Sequence, residues 1–246
     1  MKMLFFFLLI CLCSLDLVIP SVLGTGPDLF ATGDYNGALK AFQNELSATT
    51  GAAQAPVLSN IGTCYMALGK PDLAEENYAK AVSVDPGYGR GWINLGVSQE
   101  KLGKLEEALN SYGRVSDSGD LALIAEANVK KGTLLASKGR FDEAITAFES
   151  AEGNAKGSVA VDLYTGIGGA DFMKGDIPAA EMAFLNAIEI DPSGAAMAYT
   201  NLGVIRITQK RYTEAKSAFE TAIHNDPQGK TKAAQYLQKL QGMGVL

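Results

Sequence analysis

The feature that most constrains this chain is one spacing that returns five times. The glycine pair Gly62 and Gly69 recurs as Gly96 and Gly103, Gly132 and Gly139, and Gly168 and Gly175, and Gly203 with Lys210 follows. The first members step by 34, 36, 36 and 35 residues, and Ala74, Ala108, Ala144, Ala180 and Ala215 keep the same steps. Four residues after each alanine stands an aromatic: Tyr78, Tyr112, Phe148, Phe184 and Phe219. Within residues 55–88, apolar side chains recur at three-to-four spacing, first Leu58, Ile61, Tyr65 and Leu68, then Leu73, Tyr78, Ala81 and Val82. That pattern predicts two short amphipathic helices. Gly69 falls where a helix end needs a positive φ, and Pro71 falls in the first turn of the next helix. A helical hairpin this short cannot bury its apolar stripe alone, so it needs the neighbours the chain supplies.

The small residues follow from packing. Each helical glycine costs roughly 1 kcal/mol against alanine. Recurrence in step implies a requirement at the place where paired helices cross, which Gly62 and Ala74 occupy. Ala81 faces the next hairpin and limits the spacing between repeats.

Taken together, these positions resemble the tetratricopeptide repeat, a helix-turn-helix unit of about 34 residues. The resemblance covers nearly everything after residue 27. It implies an all-α solenoid of helical hairpins, an α-α superhelix of about six repeats with a C-terminal capping helix. The units fall near residues 25–52, 55–88, 89–122, 125–158, 161–194 and 196–229, with the cap helix at 230–241. The departures are modest. Two extra residues precede Ala125 and Val161, and one precedes Ala196. The stretch 114–122 replaces the usual proline ending with a flexible turn. Glycine-rich 165–172, TGIGGADF, is expected to lower the local stability of its hairpin. Asp171 and Arg206 stand where the family prefers a large apolar side chain, and they either pair across a repeat boundary or turn to solvent. The second is expected, because buried pairs contribute little net stability.

Residues 1–24 do not belong to the repeats. Lys2 precedes an apolar run over 3–15, and Pro20 leads to small Gly24 at a cleavage edge, which reads as a secretory signal peptide. A retained anchor is the alternative: 3–23 reaches the roughly 20 residues of a membrane span only by tolerating Asp16. The expectation is therefore an extracytoplasmic, secreted or periplasm-like protein, or one tethered through an uncleaved N-terminal helix. Counted by register, the first helix of the first unit begins near Ile19, inside that segment. Cleavage would leave only 27–32 of it, as a truncated capping hairpin.

Chemistry has little to work with. His224 is the sole histidine and lies at the tail of the last hairpin, so a solvated helix end is expected. Cys11 and Cys13 leave with a cleaved signal, and Cys64, among small residues on a helix, reads as a packed apolar substitute. No CxxC, HExxH or CxxCH occurs, so neither a cofactor nor a metal is implied. Residues 166–169 resemble half of a phosphate-binding loop but fall inside a helix register with no preceding strand. The acidic pairs Glu75/Glu76, Glu106/Glu107 and Asp142/Glu143 sit at the starts of second helices, where they favour the helix dipole. The net charge of −6 argues against a nucleic-acid partner.

What remains is a surface. The resemblance implies that the first helix of each pair lines an inner groove. Side chains pointing away from the partner helix there include Asn60, Thr63, Ile93, Asn94, Val97, Val129, Lys130, Phe172, Met173, Asn201, Val204 and Ile207, the candidate peptide-binding set. Thr133, Thr165 and Thr200 share that face. In relatives, such asparagines hold an extended peptide backbone through paired amide hydrogen bonds. The competing reading has Asn60, Asn94 and Asn201 cap or bridge neighbouring helices. Apolar members in a groove mark a partner site. Family members that bind chaperone tails carry a Lys, Asn and Arg set in their first three repeats, and Arg90, Lys130 and scattered asparagines do not reproduce it. The functional expectation is a non-enzymatic scaffold that binds a protein or peptide partner in its groove, without nucleic acid. Membrane contact is confined to residues 3–23. The alternative is an assembly subunit of a membrane or envelope complex that uses its outer face or ends.

Overall fold

The structure, a computed structural model, describes residues 24–244. The leader, Cys11, Cys13 and the 3–23 membrane contact lie outside the described residues. Thirteen α-helices and two 3-10 turns, with no strand, make up the described chain. The first hairpin pairs α1 (Gly26–Ala31) with α2 (Tyr35–Ala48), and the second pairs α3 (Gln54–Ala67) with α4 (Pro71–Val84). The third joins α5 (Gly89–Lys101) to α6 (Leu105–Arg114), and the fourth α7 (Leu121–Ser137) to α8 (Phe141–Glu149). The last two are α9 (Ser158–Lys174) with α10 (Ile177–Ile190) and α11 (Ala196–Thr208) with α12 (Tyr212–Asn225), closed by α13 (Ala233–Gly242). This is the all-α hairpin solenoid with a C-terminal cap helix.

Each hairpin closes on the same contact. A Cβ placed on Gly62 would stand 2.6 Å from the Tyr78 ring, and one on Gly132 would stand 2.6 Å from Phe148. The same collision links Gly96 to Tyr112, Gly168 to Phe184 and Gly203 to Phe219. Gly26 against Phe42 adds a sixth pair in the first hairpin. The ring of the second helix therefore fills the notch left by the glycine of the first. The alanine one turn before each ring is fully buried, as Ala74, Ala108, Ala144, Ala180 and Ala215 show. The crossing of the helices is set by these two positions.

Neighbouring hairpins pack in two ways. Each second helix lies against the next first helix, α4 on α5 and α10 on α11 among them. First helices also touch the next first helix, α3 with α5, α5 with α7 and α7 with α9, whereas second helices make no comparable contact with one another. The first-helix layer is the tighter one, so the stack bends toward it. Along the turn ends of the hairpins a ladder of ion pairs crosses the hairpin boundaries: Lys104 to Glu75 at 2.6 Å, Arg140 to Glu106 at 2.9 Å, Lys174 to Asp142 at 2.7 Å and Arg211 to Glu181 at 3.0 Å. Glu75, Glu106 and Asp142 thus do more than face a helix dipole. Exposed pairs of this kind are weak and salt-screened, so they add little to stability.

Several local expectations are corrected. The stretch after α6 is not a flexible turn: residues Val115–Ser118 form a 3-10 turn with Val115 buried, and Gly119 then reverses the chain at φ 68°. Asp120 caps α7, accepting from the Ala122 and Leu123 amides at 2.9 and 3.2 Å. The extra residues before Ala125 and Val161 extend α7 and α9 at their N-termini, so both run 17 residues. Asp171 and Arg206 do not pair with each other. Arg206 turns to Glu214 of its own hairpin at 3.9 Å rather than to open solvent, and its Nε is buried without a hydrogen-bond partner. Lys210 holds φ 61°, the position filled by glycine in the five preceding hairpins, from Gly33 to Gly175. Residues 166–169 lie within α9, where Gly166 packs against the Phe148 ring of the preceding hairpin. The glycine-rich stretch is thus partly a packing device. Within the described residues α1 spans six residues, and no described helix is long and apolar enough to cross a membrane.

Two outcomes follow from this packing. Gly168→Ala should lower stability by about 1–2 kcal/mol, since overpacking against Phe184 outweighs the gain of roughly 1 kcal/mol in helix propensity. Gly169→Ala, one residue on and open to space, should raise it by about 0.5–1 kcal/mol. Urea midpoints by circular dichroism measure both, and equal effects would remove the ring-in-notch account. Cys64 is fully buried, and that burial pushes its thiol up. Native protein at pH 8 should therefore resist a thiol reagent such as dithionitrobenzoate until denaturant is added. Rapid labelling of the folded chain would contradict the packed role.

Candidate functional site

On the first-helix face, α5, α7 and α9 and the start of α11 enclose a depression of about 490 Å³. Its apolar lining includes Val97, Val129, Val161 and Met197, and its polar lining includes Glu100, Tyr112, Lys130, Thr133, Asp162 and Thr165. These side chains converge because they recur at three-to-four spacing on helices lying side by side. Glu100 follows Val97 by one turn, and Asp162 precedes Thr165 by one turn.

The polar contacts within it are few. Tyr112 reaches up from α6 and donates its hydroxyl to Glu100. Burial, with Glu100 and then Glu126 beside it, pushes that hydroxyl well above the ordinary phenol range. Arg90 at the groove edge is held by both oxygens of Glu126, at 2.9 and 2.8 Å. Burial pushes the Asp162 carboxyl up, and the Lys130 ammonium pulls against that shift. Thr133 donates its hydroxyl to the Val129 carbonyl at 2.9 Å. A second, smaller recess of about 200 Å³ lies at the N-terminal end, lined by Pro27, Phe30, Phe42, Asn60 and Thr63. There Thr63 and the Tyr78 hydroxyl are 3.1 Å apart.

The candidate residues therefore divide. Val97, Val129 and Lys130 come together in the central depression, and Asn60 and Thr63 share the smaller recess. Ile93 is only 1% exposed and belongs to the core between the third and fourth hairpins, so it is not available to a ligand. Asn94 bridges hairpins, donating to Ser59 Oγ at 3.0 Å. Phe172 is half-buried against the core of the fifth hairpin, and Val204 and Ile207 against that of the sixth and its cap helix. Asn201 is half-buried and Met173 exposed, and neither lines the central depression. Glu100, Tyr112, Val161, Asp162 and Met197 were not among the candidates. Stepping one helical turn either way from Val97, Thr165 and Thr200 would have reached Glu100, Asp162 and Met197. His224 is exposed at the end of α12. Among the described residues, no cluster of three or more His, Cys, Asp or Glu side chains could hold a metal ion.

Comparison with known proteins bears on the fold and its family. The tetratricopeptide repeat pattern matches residues 55–88, and a second pattern of the same description matches 129–195 and 174–230. A curated relative, the small glutamine-rich tetratricopeptide repeat-containing protein 2 of Saccharomyces cerevisiae, is 32% identical over 98 residues, 39% of this chain. The chain spans 28% of the length of the curated relatives it matches. Among solved structures, the MamA protein superposes with a TM-score of 0.56 at 26% identity, covering 69% of this chain and 90% of that one. YrrB, described as a TPR protein with an unusual peptide-binding site, gives 0.55 at 18% identity over 82% of this chain and 99% of its own. The matched patterns together span more than half of the sequence, and the hairpins they mark are those the glycine and aromatic spacing outlines. The chain belongs to the tetratricopeptide-repeat family.

Proposed function

We propose that this protein is a non-enzymatic scaffold that holds an extended or helical peptide segment of a partner on its first-helix face. Tetratricopeptide-repeat proteins generally serve in protein interaction, and this reading adds the place. The observation that carries it is the central depression. Three consecutive first helices border it, its floor is apolar, and several of its polar side chains have partners only within the wall. A concave apolar strip with a few polar groups suits a peptide better than a small metabolite. The peptide-binding site named for YrrB is in keeping with this use of the fold, although at 18% identity that likeness carries the fold alone.

A second reading has one specific observation behind it. On the outer face of α10, Met182 is 64% and Leu185 45% exposed. The equivalent positions are Glu76 and Ala79 in α4, Asn110 and Gly113 in α6, Thr146 and Glu149 in α8, and Ser217 and Glu220 in α12. An apolar outer stripe in one hairpin suits a structural subunit that assembles through its convex side. The sites separate by mutation. Thr165→Trp fills the depression, whereas Met182→Lys with Leu185→Lys makes the outer stripe polar. Partner capture from the native host, compared across wild type and both variants with folding checked by circular dichroism, should lose the partner only with Thr165→Trp. Loss only with the α10 pair would transfer the function to the outer face, and retention by both would overturn the two readings.

The reading also includes export or membrane tethering through residues 1–24, supported by the Lys2, apolar-run and Gly24 pattern. Intact mass and fractionation of the native protein check it. A soluble extracytoplasmic species beginning near Thr25 is expected, a full-length species in the membrane fraction would favour the anchor, and a full-length soluble species would overturn both.

A further inference from the structure

We propose that the central depression selects a partner segment with a basic side chain, lysine or arginine, seated between the Glu100 and Asp162 carboxylates. This rests on the groove reading above and adds the charge of its occupant. Arg90 is held by Glu126, and that pair is neutral as a unit. Inside the depression stand two carboxylates, Glu100 and Asp162, and one ammonium, Lys130. Glu100 accepts from the neutral Tyr112 hydroxyl, which leaves its charge uncompensated. Asp162 has the Lys130 ammonium as its charged neighbour, with no hydrogen bond contributing to its titration. The depression therefore carries a surplus of negative charge, on a chain whose net charge is −6.

One titrating group registers that negative charge. The Tyr112 hydroxyl is raised first by burial, then by the Glu100 hydrogen bond and by the charges of Glu100 and Glu126. Asp162 is raised by burial of its carboxyl against the pull of Lys130, yet the residue as a whole stays exposed at the depression, within reach of a ligand and with no hydrogen-bond partner among the described residues. A carboxylate without a hydrogen-bonded partner gains from an arriving cation. The floor of Val97, Val129 and Val161 suits the methylene stem of a lysine or arginine, with its head at the rim beside the carboxylates. An acidic segment would meet both carboxylates with only Lys130 to answer them.

The test is selection from a displayed library of random twelve-residue peptides, panned on the full chain. Parallel pannings use Thr165→Trp and a second filling variant, Thr133→Trp, each checked by thermal melting so that one folded blocker suffices. Peptides retained by wild type and lost on a blocker should be enriched in Lys and Arg. Resynthesised, they should bind Glu100→Gln and Asp162→Asn about tenfold more weakly and lose affinity with added salt. Blocker-sensitive peptides that are acidic or uncharged would overturn the charge selection while leaving the groove in place. Basic peptides indifferent to both carboxylate variants would overturn it as well. Peptides that ignore the blockers altogether would remove the groove and this inference together.

Discussion

The structure depends on one contact repeated six times, an aromatic ring from the second helix of a hairpin set into the notch of a glycine on the first. A methyl group at that glycine would stand within about 2.5–2.7 Å of ring carbons, closer than van der Waals surfaces permit. The glycine lets the two axes approach, and the ring locks their rotation relative to one another. The buried alanine one turn before the ring removes the next obstacle. Each hairpin therefore has nearly one allowed geometry, and identical geometries stack.

Stacking has a functional consequence. First helices touch their successors more closely than second helices do, so side chains of α5, α7 and α9 are brought within reach of one ligand. The same arrangement uses some candidates as mortar. Ile93 fills the joint between the third and fourth hairpins, and Asn94 ties α5 to Ser59 of α3. Gly166 admits the Phe148 ring of the hairpin before it, which is why α9 can lie close to the fourth hairpin despite its extra turn. The ladder from Lys104–Glu75 to Arg211–Glu181 links successive hairpins along their turn ends. Support and site are made of the same residues one helical turn apart.

The fold was legible because its cause is local and repeated. The spacing of glycine, alanine and aromatic side chains marks where two helices must cross, and the second glycine of each pair (Gly69, Gly103, Gly139 and Gly175) marks where one helix ends and the next begins. The candidate site was legible only in part. Val97, Val129 and Lys130 were reached through helix periodicity, but Glu100, Tyr112 and Asp162 were not. Tyr112 is a core ring of the third hairpin, yet its hydroxyl passes through the wall of the depression to Glu100. Arg206 shows the opposite failure: it is expected to turn to solvent, and the side chain instead lies against Glu214 in its own hairpin.

By itself the sequence determined the class of fold, the hairpin count and the place of each crossing, since these rest on steric requirements that a single residue type meets. It also determined that no recognised metal or nucleophile motif is present. Tertiary structure decided which inner-face residues meet across hairpins, which are consumed by packing, and where charge is left unanswered. Those outcomes depend on small rotations between stacked hairpins and on side chains of different repeats competing for the same space. A periodic pattern carries the average position of each residue, whereas a binding surface is made from the departures.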